Sequence, residues 1–467
     1  MRKAPITALA ALALASCTAG PDYHLPANSM ARAPDANGAF ASGHEAAFAQ
    51  APLPDHWWRL YDDPRLDGYV TEALKANTDL RAADANFRRA TFIVREAEAK
   101  RRVTTTVSAG AEIAQVGGYT LPLPGTPYSY ALGVGVAYPL DLAGGIRRGI
   151  EAARADSEAV QAARDQVRVT VAAAVTRSYA GACSANRTLA AAQHVLDVQR
   201  ETLAVTQRLM KGGRGTAFDV TRAQTAVDES AAAIPTIIAD RQAALFELAA
   251  LLGRASSDYP REVESCAAPP ELKQPLPIGD GTALIRRRAD IRAAERSLAA
   301  ATATIGVETA ELYPKVSLGG SMGFLGPFSS ITSGSAFGGS LGPLVSWNFP
   351  DRVAAHARIA QAGAAAEMAS ARFDGSVIEA LRQTDTALSA YAREIDRDRD
   401  LERARDDAAK ATNQANRLYR YGRTGFIDVL TAQSSLASAE AALAASQAML
   451  IDRQIDTFLA LGGGWES

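Results

Sequence analysis

Strict alternation of apolar and small or polar residues marks several short stretches of this chain. Leu132, Val134 and Val136, for example, alternate with glycine and alanine. A period of two is typical of a strand with one apolar face. The pattern predicts four such strands, at about 103–114, 128–140, 315–324 and 337–349.

Helical sequence fills most of the remaining chain. The two longest predicted helices, about 147–211 and 352–420, would each be near 100 Å long at about 1.5 Å per residue. Each is followed by a glycine-containing turn and a helix about half as long, and shorter helices at about 64–102, broken near Asn77, and 281–312 precede the strands. We therefore expect a mainly α protein whose long helices form a rod or tube, packed through their Ala faces.

The chain repeats itself. Residues 208–220 align with residues 417–429 at a constant offset of 209, and the match continues to the Leu-Gly pairs at 252–253 and 461–462. This self-similarity predicts a first structural repeat over 61–253 and a second over 281–462. An equatorial, Pro-rich linker at 254–280 would join them.

Composition narrows the class of protein. The chain has 467 residues and a net charge of −2, without the basic excess of a nucleic-acid binder. Hydrophobic residues make up 48%, but aromatics only 6%, and roughly one residue in five is Ala, which suits closely packed helices. After the first sixteen residues no apolar run approaches the roughly 20 residues of a membrane-spanning helix. This excludes a helical membrane protein and leaves a β-barrel open.

The N-terminus predicts export. Arg2 and Lys3 precede an apolar stretch that ends in Leu-Ala-Ser-Cys at 14–17, so residues 1–16 are predicted to be a lipoprotein signal peptide and Cys17 the lipidated first residue. A general secretory signal cut near Ala19 is the alternative. Thr18, in place of an inner-membrane retention Asp, favours delivery to the outer membrane. An extended segment at 17–60 would follow, and 463–467 would form a C-terminal tail.

The four strands suggest membrane β-structure. Strands of about ten residues, apolar on one face with aromatics toward the ends, are typical of outer-membrane barrels; half of a soluble β-sandwich is the alternative. Four strands cannot close a barrel, and an open sheet edge is not tolerated in lipid. Two chains would give eight strands and a filled lumen, whereas three would give twelve strands and a passage. Because a tube of long helices makes sense only if something passes through it, we expect a homotrimer with a 12-stranded β-barrel.

Several sequence motifs resemble one known family. The start Cys-Thr-Ala-Gly-Pro-Asp-Tyr at 17–23, the segment Glu72–Leu80 and the run Tyr421–Leu430 resemble the NodT-like outer-membrane lipoproteins within the TolC-type efflux family. The resemblance covers residues 14 to 462. The family usually has Pro where this chain has Thr78 and Ala289.

The resemblance implies the outer-membrane channel of a tripartite efflux pump, a passive exit duct for small toxic compounds. It implies a homotrimer with its barrel in outer-membrane lipid and a periplasmic tunnel of twelve helices. A periplasmic adaptor would open the tunnel tip, and an inner-membrane pump, often of the resistance-nodulation-division type, would supply the energy. Two alternatives remain, a type I protein secretion duct and a periplasmic coiled-coil lipoprotein that forms no channel.

Candidate gate residues surround the two turns, 212–217 and 421–425. Glycines there, among them Gly213 and Gly422, permit the positive φ that reverses a helix. The acids Asp219 and Asp428 stand near the starts of the returning helices, where each is either an N-terminal cap or part of a gate. The resemblance implies that Asp428 rings the constricted mouth and that Tyr419 hydrogen-bonds to Asp219 as a latch.

The gate departs from the family pattern at two places. Thr431 stands where a second ring acid is usual, and Thr424 where the latch Arg is usual, with Arg423 beside it. The latch is therefore expected to be weaker or differently connected.

Two thiols, Cys183 and Cys266, remain after Cys17. Cys183 precedes Lys211 by 28 residues, about 42 Å of helix, and the returning helix runs about 51 Å from Asp219 to Gly253. Cys266 follows in the linker at a similar height, so the sequence allows either a disulfide or two buried reduced thiols.

No pattern predicts catalysis, a cofactor or a metal. The Gly-x-Ser-x-Gly sequence at 338–342 falls inside a predicted strand, whereas a hydrolase needs it at a strand-to-helix turn. The five histidines are scattered without ligand spacing. The chain is therefore not expected to be an enzyme.

Overall fold

Helices make up most of the fold. The computed structural model describes residues 18–113, 128–327, 334–347 and 352–463. Its helices are α1 Pro34–Asn37, α2 Pro64–Ala76, α3 Thr78–Ala99, α4 Gly145–Lys211, α5 Ala217–Leu251, α6 Gly281–Arg287, α7 Ala289–Ala310, α8 Arg352–Arg420 and α9 Phe426–Ala460. Its strands are β1 Phe48–Ala49, β2 Thr104–Ile113, β3 Tyr128–Leu140, β4 Leu276–Pro277, β5 Lys315–Pro327 and β6 Phe337–Ser346.

The chain divides into two compact units. The first consists of the described parts of Met1–Ser29, Asn86–Gln161 and Ala293–Phe373. The second consists of the described parts of Met30–Ala85, Ala162–Arg292 and Asp374–Ser467. The first therefore contains the four long strands, and the second contains both helix-reversing turns.

The sheet of the first unit has the order β2-β3-β5-β6, with antiparallel neighbours throughout. Its register pairs Val107 with Val134 and Val134 with Met322, so the apolar positions of neighbouring strands share one face. That face is exposed, because Val107 is 73% and Leu341 83% accessible. An apolar surface of this extent requires a partner or a membrane.

The opposite face carries small residues. Ser108, Gly133 and Gly323 lie side by side across β2, β3 and β5. The hydroxyls of Ser321 and Ser340 hydrogen-bond across β5 and β6 at 2.9 Å. Ser340 belongs to the Gly-x-Ser-x-Gly sequence, which lies within β6.

Aromatic packing anchors part of the second unit. The ring of Trp57 stacks on Phe458 with centroids 4.4 Å apart, and both side chains are fully buried. The Tyr61 hydroxyl donates to Gln454 Oε1 at 3.1 Å, so the polar end of this buried ring has a partner. The segment before α2 is thereby fixed against α9.

The expectation of one continuous helix at 281–312 is wrong. Helix α6 ends at Arg287, and Arg288 is extended at φ −62° and ψ 123° before α7 begins. The guanidinium of Arg288 donates to the Ala460 carbonyl at 2.8 Å and to Asp290 at 2.6 Å. Because Ala289 replaces the Pro that would mark such a break, no local signal predicted it.

No helix among the described residues is both long and apolar enough to cross a lipid bilayer.

Candidate functional site

Two turns reverse the long helices of the second unit. The first follows α4, where Gly213 adopts φ +73°. Its amide donates to the Met210 carbonyl at 3.0 Å, and the Arg214 amide donates to the Leu209 carbonyl at 2.9 Å. This pair of bonds is the Schellman motif, which ends a helix and satisfies its last carbonyls.

The second turn, after α8, has the same bonds. Gly422 adopts φ +69°, and its amide donates to the Tyr419 carbonyl at 2.9 Å. The Arg423 amide donates to the Leu418 carbonyl, also at 2.9 Å. Both glycines named from the sequence therefore occupy the left-handed position that only glycine adopts without strain.

Asp219 caps the start of α5. Its Oδ2 accepts hydrogen bonds from the Thr216 amide at 3.0 Å and the Thr216 hydroxyl at 2.6 Å. The Asp219 amide donates back to the Thr216 hydroxyl oxygen at 3.1 Å, which completes a capping box. The hydrogen bonds from Thr216 hold the pKa of the Asp219 carboxyl below its usual value.

Asp428 has the corresponding place in α9. Its Oδ2 accepts hydrogen bonds from the Gly425 amide at 3.1 Å and from the Thr424 hydroxyl. The Asp428 amide donates to the Gly425 carbonyl at 3.2 Å. The side chain is exposed. Thr424, which replaces the expected latch Arg, therefore binds the expected ring acid.

Tyr419 lies close to both turns. Its ring packs on Phe426 with centroids 5.6 Å apart. Burial raises the pKa of the Tyr419 phenol, and the negative charge of Asp219 raises it further. Within the described chain, however, the hydrogen bonds of the Asp219 carboxylate go to Thr216. The structure thus brings Tyr419 and Asp219 into electrostatic range without the hydrogen bond of a latch.

Two other tip residues have simple surroundings. Arg423 is exposed, and no ion pair to it occurs among the described residues. The Thr431 hydroxyl donates to the Ile427 carbonyl at 2.9 Å, within its own helix. Of the two ring positions, 428 and 431, only Asp428 therefore carries an exposed acid.

The two thiols that remain after Cys17 are joined. A disulfide links Cys183 of α4 to Cys266, with Cα atoms 5.1 Å apart and both side chains buried. Nearby, Asn186 Nδ2 donates to the Val263 carbonyl at 3.1 Å. The segment between α5 and α6 is thus held to the middle of α4.

Cys17 lies outside the described residues, but the segment that follows it is firmly held in the first unit. The buried guanidinium of Arg148 donates to the Ala19 carbonyl at 3.1 Å, the Gly20 carbonyl at 3.2 Å and Asp22 Oδ1 at 2.7 Å. Thr18 packs against Gly144, four residues after β3 ends. Sequence reasoning missed this role of Arg148, because Ala19, Gly20 and Asp22 lie more than a hundred residues away from it.

A groove in the second unit was also not predicted from the sequence. About 730 Å³ in volume, it lies between α4, α5 and α9 and is lined mainly by Ala, Ser and Thr. Gln199 lines it, and its buried Oε1 has no hydrogen-bond partner among the described atoms. Short side chains of this kind give no signal in the sequence that distinguishes a groove from a helix contact.

Among the described residues, no group of three or more His, Cys, Asp or Glu side chains is placed to hold an ion.

The chain is similar to known proteins over almost its whole length. Nodulation protein T of Rhizobium leguminosarum bv. trifolii is 28% identical, over 93% of this chain and 91% of its own. The probable efflux pump outer membrane protein TtgC of Pseudomonas putida is 27% identical, over 98% of this chain and 95% of its own. The solved structure of the outer-membrane channel OprN is 34% identical, covers 96% of this chain and 100% of that one, and has a TM-score of 0.87.

A family model also matches most of the chain. Residues 69–254 and 282–463 match the family described as outer membrane efflux protein. These ranges make up more than half of the chain, and the resemblance to NodT-like proteins seen in the sequence is confirmed. The chain therefore belongs to the outer membrane efflux protein family, as a NodT-like member of the TolC type.

Proposed function

We propose that this protein is the outer-membrane channel of a tripartite efflux pump, a passive exit duct for small toxic compounds. The observation that carries the proposal is the exposed apolar face of the four-stranded sheet, in a chain that matches an outer-membrane channel over 96% of its length. Leu132, Met322 and Leu341 on that face are 51%, 61% and 83% accessible. Side chains of this kind are stable against lipid and unfavourable in water.

The proposed channel is a homotrimer. In the described sheet, β2 and β6 each pair on one side only. An unpaired edge in hydrocarbon leaves backbone amides and carbonyls without partners, at a cost of several kcal/mol each. Three chains joined edge to edge would close a 12-stranded barrel wide enough for a passage.

The long helices would form the periplasmic tunnel. Helices α4 and α8 have 67 and 69 residues, about 100 Å each. We propose two structural repeats, 61–253 and 281–462, because the Schellman bonds at Gly213 recur at Gly422, at an offset of 209 residues. The division of the family match into two ranges is consistent with this repeat. Each chain would then contribute four helices to a wall of twelve.

The tip turns would form the gate and meet the adaptor. In a trimer, Asp428 would supply three carboxylates at the mouth, and Tyr419 would bond to Asp219 in the closed state. Phe218 and Tyr421 are 67% and 81% accessible, which leaves aromatic side chains available to a periplasmic adaptor. The adaptor would in turn connect the duct to an inner-membrane pump, of the resistance-nodulation-division type.

Lipidation of Cys17 would anchor the chain in the outer membrane. The Arg148 hydrogen bonds support this, because they hold residues 19–22 beside the helix that follows β3. Thr18 packs on Gly144, four residues beyond the end of that strand. A lipid on the preceding residue would therefore emerge next to the sheet.

Reconstitution tests the proposed function directly. The full chain, purified from membranes in detergent, is expected to run as a trimer and to give discrete conductance steps in planar bilayers. A monomer that never conducts would overturn the duct and favour a coiled-coil lipoprotein without a channel. Deletion of the gene is expected to raise sensitivity to small toxic compounds, whereas loss of a secreted protein alone would favour a type I secretion duct.

A further inference from the structure

Four arginines line one cavity in the first unit. The cavity measures about 330 Å³, and we call it the basic cavity. Tyr23 and two glutamates complete its polar lining, and Ile150 and two alanines its apolar lining. Its arginines are Arg101, Arg147, Arg154 and Arg296.

The nearby carboxylates are already paired. Glu151 Oε2 lies 2.7 Å from an Arg148 nitrogen, and Glu158 Oε2 lies 3.4 Å from Arg296. Arg154 pairs with Glu98 at 2.5 Å. The remaining two arginines, Arg101 and Arg147, are exposed.

No carboxylate lies within ion-pair distance of Arg101 or Arg147 in the part of the chain that the structure describes. The neighbouring Asp141 accepts hydrogen bonds from the backbone amides of Ile146 and Arg147, at 3.0 and 2.8 Å. It therefore caps α4 through the backbone. Among the described residues, the basic cavity therefore has two guanidinium groups without a carboxylate partner, and their planar donor geometry matches a phosphate.

The basic cavity lies near one end of the sheet, where β2 begins and β3 ends. Arg101 precedes β2 by three residues, and Arg147 follows β3 by seven. Thr104, the first residue of β2, pairs with Ala137 near the end of β3, so both arginines lie beyond the same end of the sheet. The exposed apolar face begins at that end of the sheet with Leu140 and Tyr138 of β3. Positive charge therefore borders directly on apolar surface.

The segment after Cys17 also reaches the basic cavity. The Tyr23 hydroxyl donates to Glu295 Oε1 at 3.2 Å, and the Arg296 guanidinium lies 5.6 Å from the centre of the Tyr23 ring. Tyr23 thus closes one side of the cavity with an apolar ring. An amphiphile with an anionic head and apolar tails fits this combination of surfaces.

We propose that the basic cavity binds the phosphate of an anionic glycerophospholipid, with the acyl chains lying against the apolar face of the sheet. Arg101 and Arg147 would bind the phosphate oxygens. The inference rests on the proposed function, because it requires the sheet to lie in the outer membrane, with this end of the sheet at the periplasmic leaflet. The lipid would fix the depth of each chain in the bilayer.

Native mass spectrometry of the detergent-solubilised full chain tests the inference. The probes are phosphatidylglycerol and phosphatidylcholine with identical acyl chains. We expect roughly tenfold tighter binding of phosphatidylglycerol, since each basic residue at an anionic lipid surface contributes favourably. Arg101→Gln/Arg147→Gln is expected to reduce this preference to about onefold.

Two further variants separate lipid binding from loss of charge or of folding. Arg88→Gln/Arg89→Gln removes the same charge from two exposed arginines of α3 that do not line the cavity, and it should keep the full preference. Arg101→Lys/Arg147→Lys keeps the charge and should retain a preference well above onefold. Inorganic phosphate at millimolar concentration should leave the bound phosphatidylglycerol in place.

Several results would overturn the inference. Equal binding of the two lipids by the unmodified protein would do so, as would equal losses in the cavity variant and the α3 variant. Displacement by inorganic phosphate alone would indicate a free-anion site instead of a lipid site. A protein that conducts in bilayers without any lipid preference would refute this inference alone, whereas one that never conducts would refute the proposed function.

Discussion

The hydroxyl of Thr424 donates a hydrogen bond to the carboxylate of Asp428. The amide of Gly425 donates to the same oxygen, Oδ2, at 3.1 Å. Among the described residues both bonds of this carboxylate end on Oδ2, so Oδ1 is left to solvent. The two interpretations of Asp428 are therefore compatible, because one oxygen caps α9 while the other can line a mouth.

The charge of Asp428 is predicted to influence ion selectivity. Asp428→Asn keeps an oxygen that can accept from Gly425 but removes the negative charge. We expect a lower preference for cations over anions in planar bilayers, since three carboxylates at a constriction attract cations. Asp240→Asn removes the charge of an exposed acid on α5 and serves as the control. Identical selectivity of both variants and the unmodified channel would remove Asp428 from the gate.

The hydroxyl of Tyr419 is predicted to hold the closed state. Tyr419→Phe keeps the ring that packs on Phe426 and loses only the hydroxyl that would donate to Asp219 in the proposed closed state. A hydrogen bond to a charged group contributes about 1.5–3 kcal/mol, so the open fraction should rise roughly tenfold or more. Single-channel recording measures this fraction.

Tyr421→Phe is the matched control for that experiment. Tyr421 lies two residues further on and is 81% accessible, so its hydroxyl is in water. The Tyr421→Phe channel is expected to have the same open fraction as the unmodified channel. If Tyr419→Phe gated in the same way, the latch would be refuted, and the Thr216 bonds seen here would be the whole role of Asp219.

Local patterns predicted the regular elements well. Alternation at 128–140 predicted a strand, and β3 is Tyr128–Leu140. The long helices predicted at 147–211 and 352–420 correspond to α4 and α8 within two residues, because glycine turns end each of them. In both cases the signal is contained in neighbouring residues, through side-chain period and turn chemistry.

Contacts between distant residues could not be predicted in this way. Arg148 binds Asp22, 126 residues earlier, and the extended Arg288 binds the carbonyl of Ala460. Neither arginine differs in its local sequence from an exposed helical residue. The Thr424–Asp428 bond is local. The family pattern, however, has an Arg at position 424 and therefore does not predict a hydroxyl that binds Asp428.

The capping box of the first turn is predicted to control local opening. Thr216→Val removes the hydroxyl that binds Asp219, which should cost about 1 kcal/mol. Opening of the turn would then increase roughly fivefold. Limited trypsin digestion at Lys211 and Arg214 measures this as a faster cleavage rate at neutral pH. Thr221→Val, which removes a hydroxyl bonded within α5, is the control.

The same capping box predicts a pH dependence. The pKa of Asp219 is lowered in the folded chain, so its contribution is present above the ordinary carboxyl pKa, about 3.9. The contribution is lost as the pH falls through the lowered value. The difference in opening between Thr216→Val and the unmodified chain should therefore shrink in acid, as measured with an acid-tolerant protease such as pepsin. A difference independent of pH would assign the effect to the hydroxyl without the carboxylate.

The disulfide between Cys183 and Cys266 is predicted to stabilise the second unit. The bond spans 83 residues of sequence, a range that includes the first turn and all of α5. In the loop-closure description, cross-linking a loop of that length lowers the entropy of the unfolded chain and so raises its free energy by about 4.5 kcal/mol. Cys183→Ser/Cys266→Ser should therefore unfold at a clearly lower temperature while keeping its conductance. Alkylation in denaturant without reductant should leave both thiols of the unmodified protein unlabelled, and Cys183→Ser should make Cys266 reactive. Labelling of both cysteines in the unmodified protein would show that they are reduced, and the stability difference should then vanish.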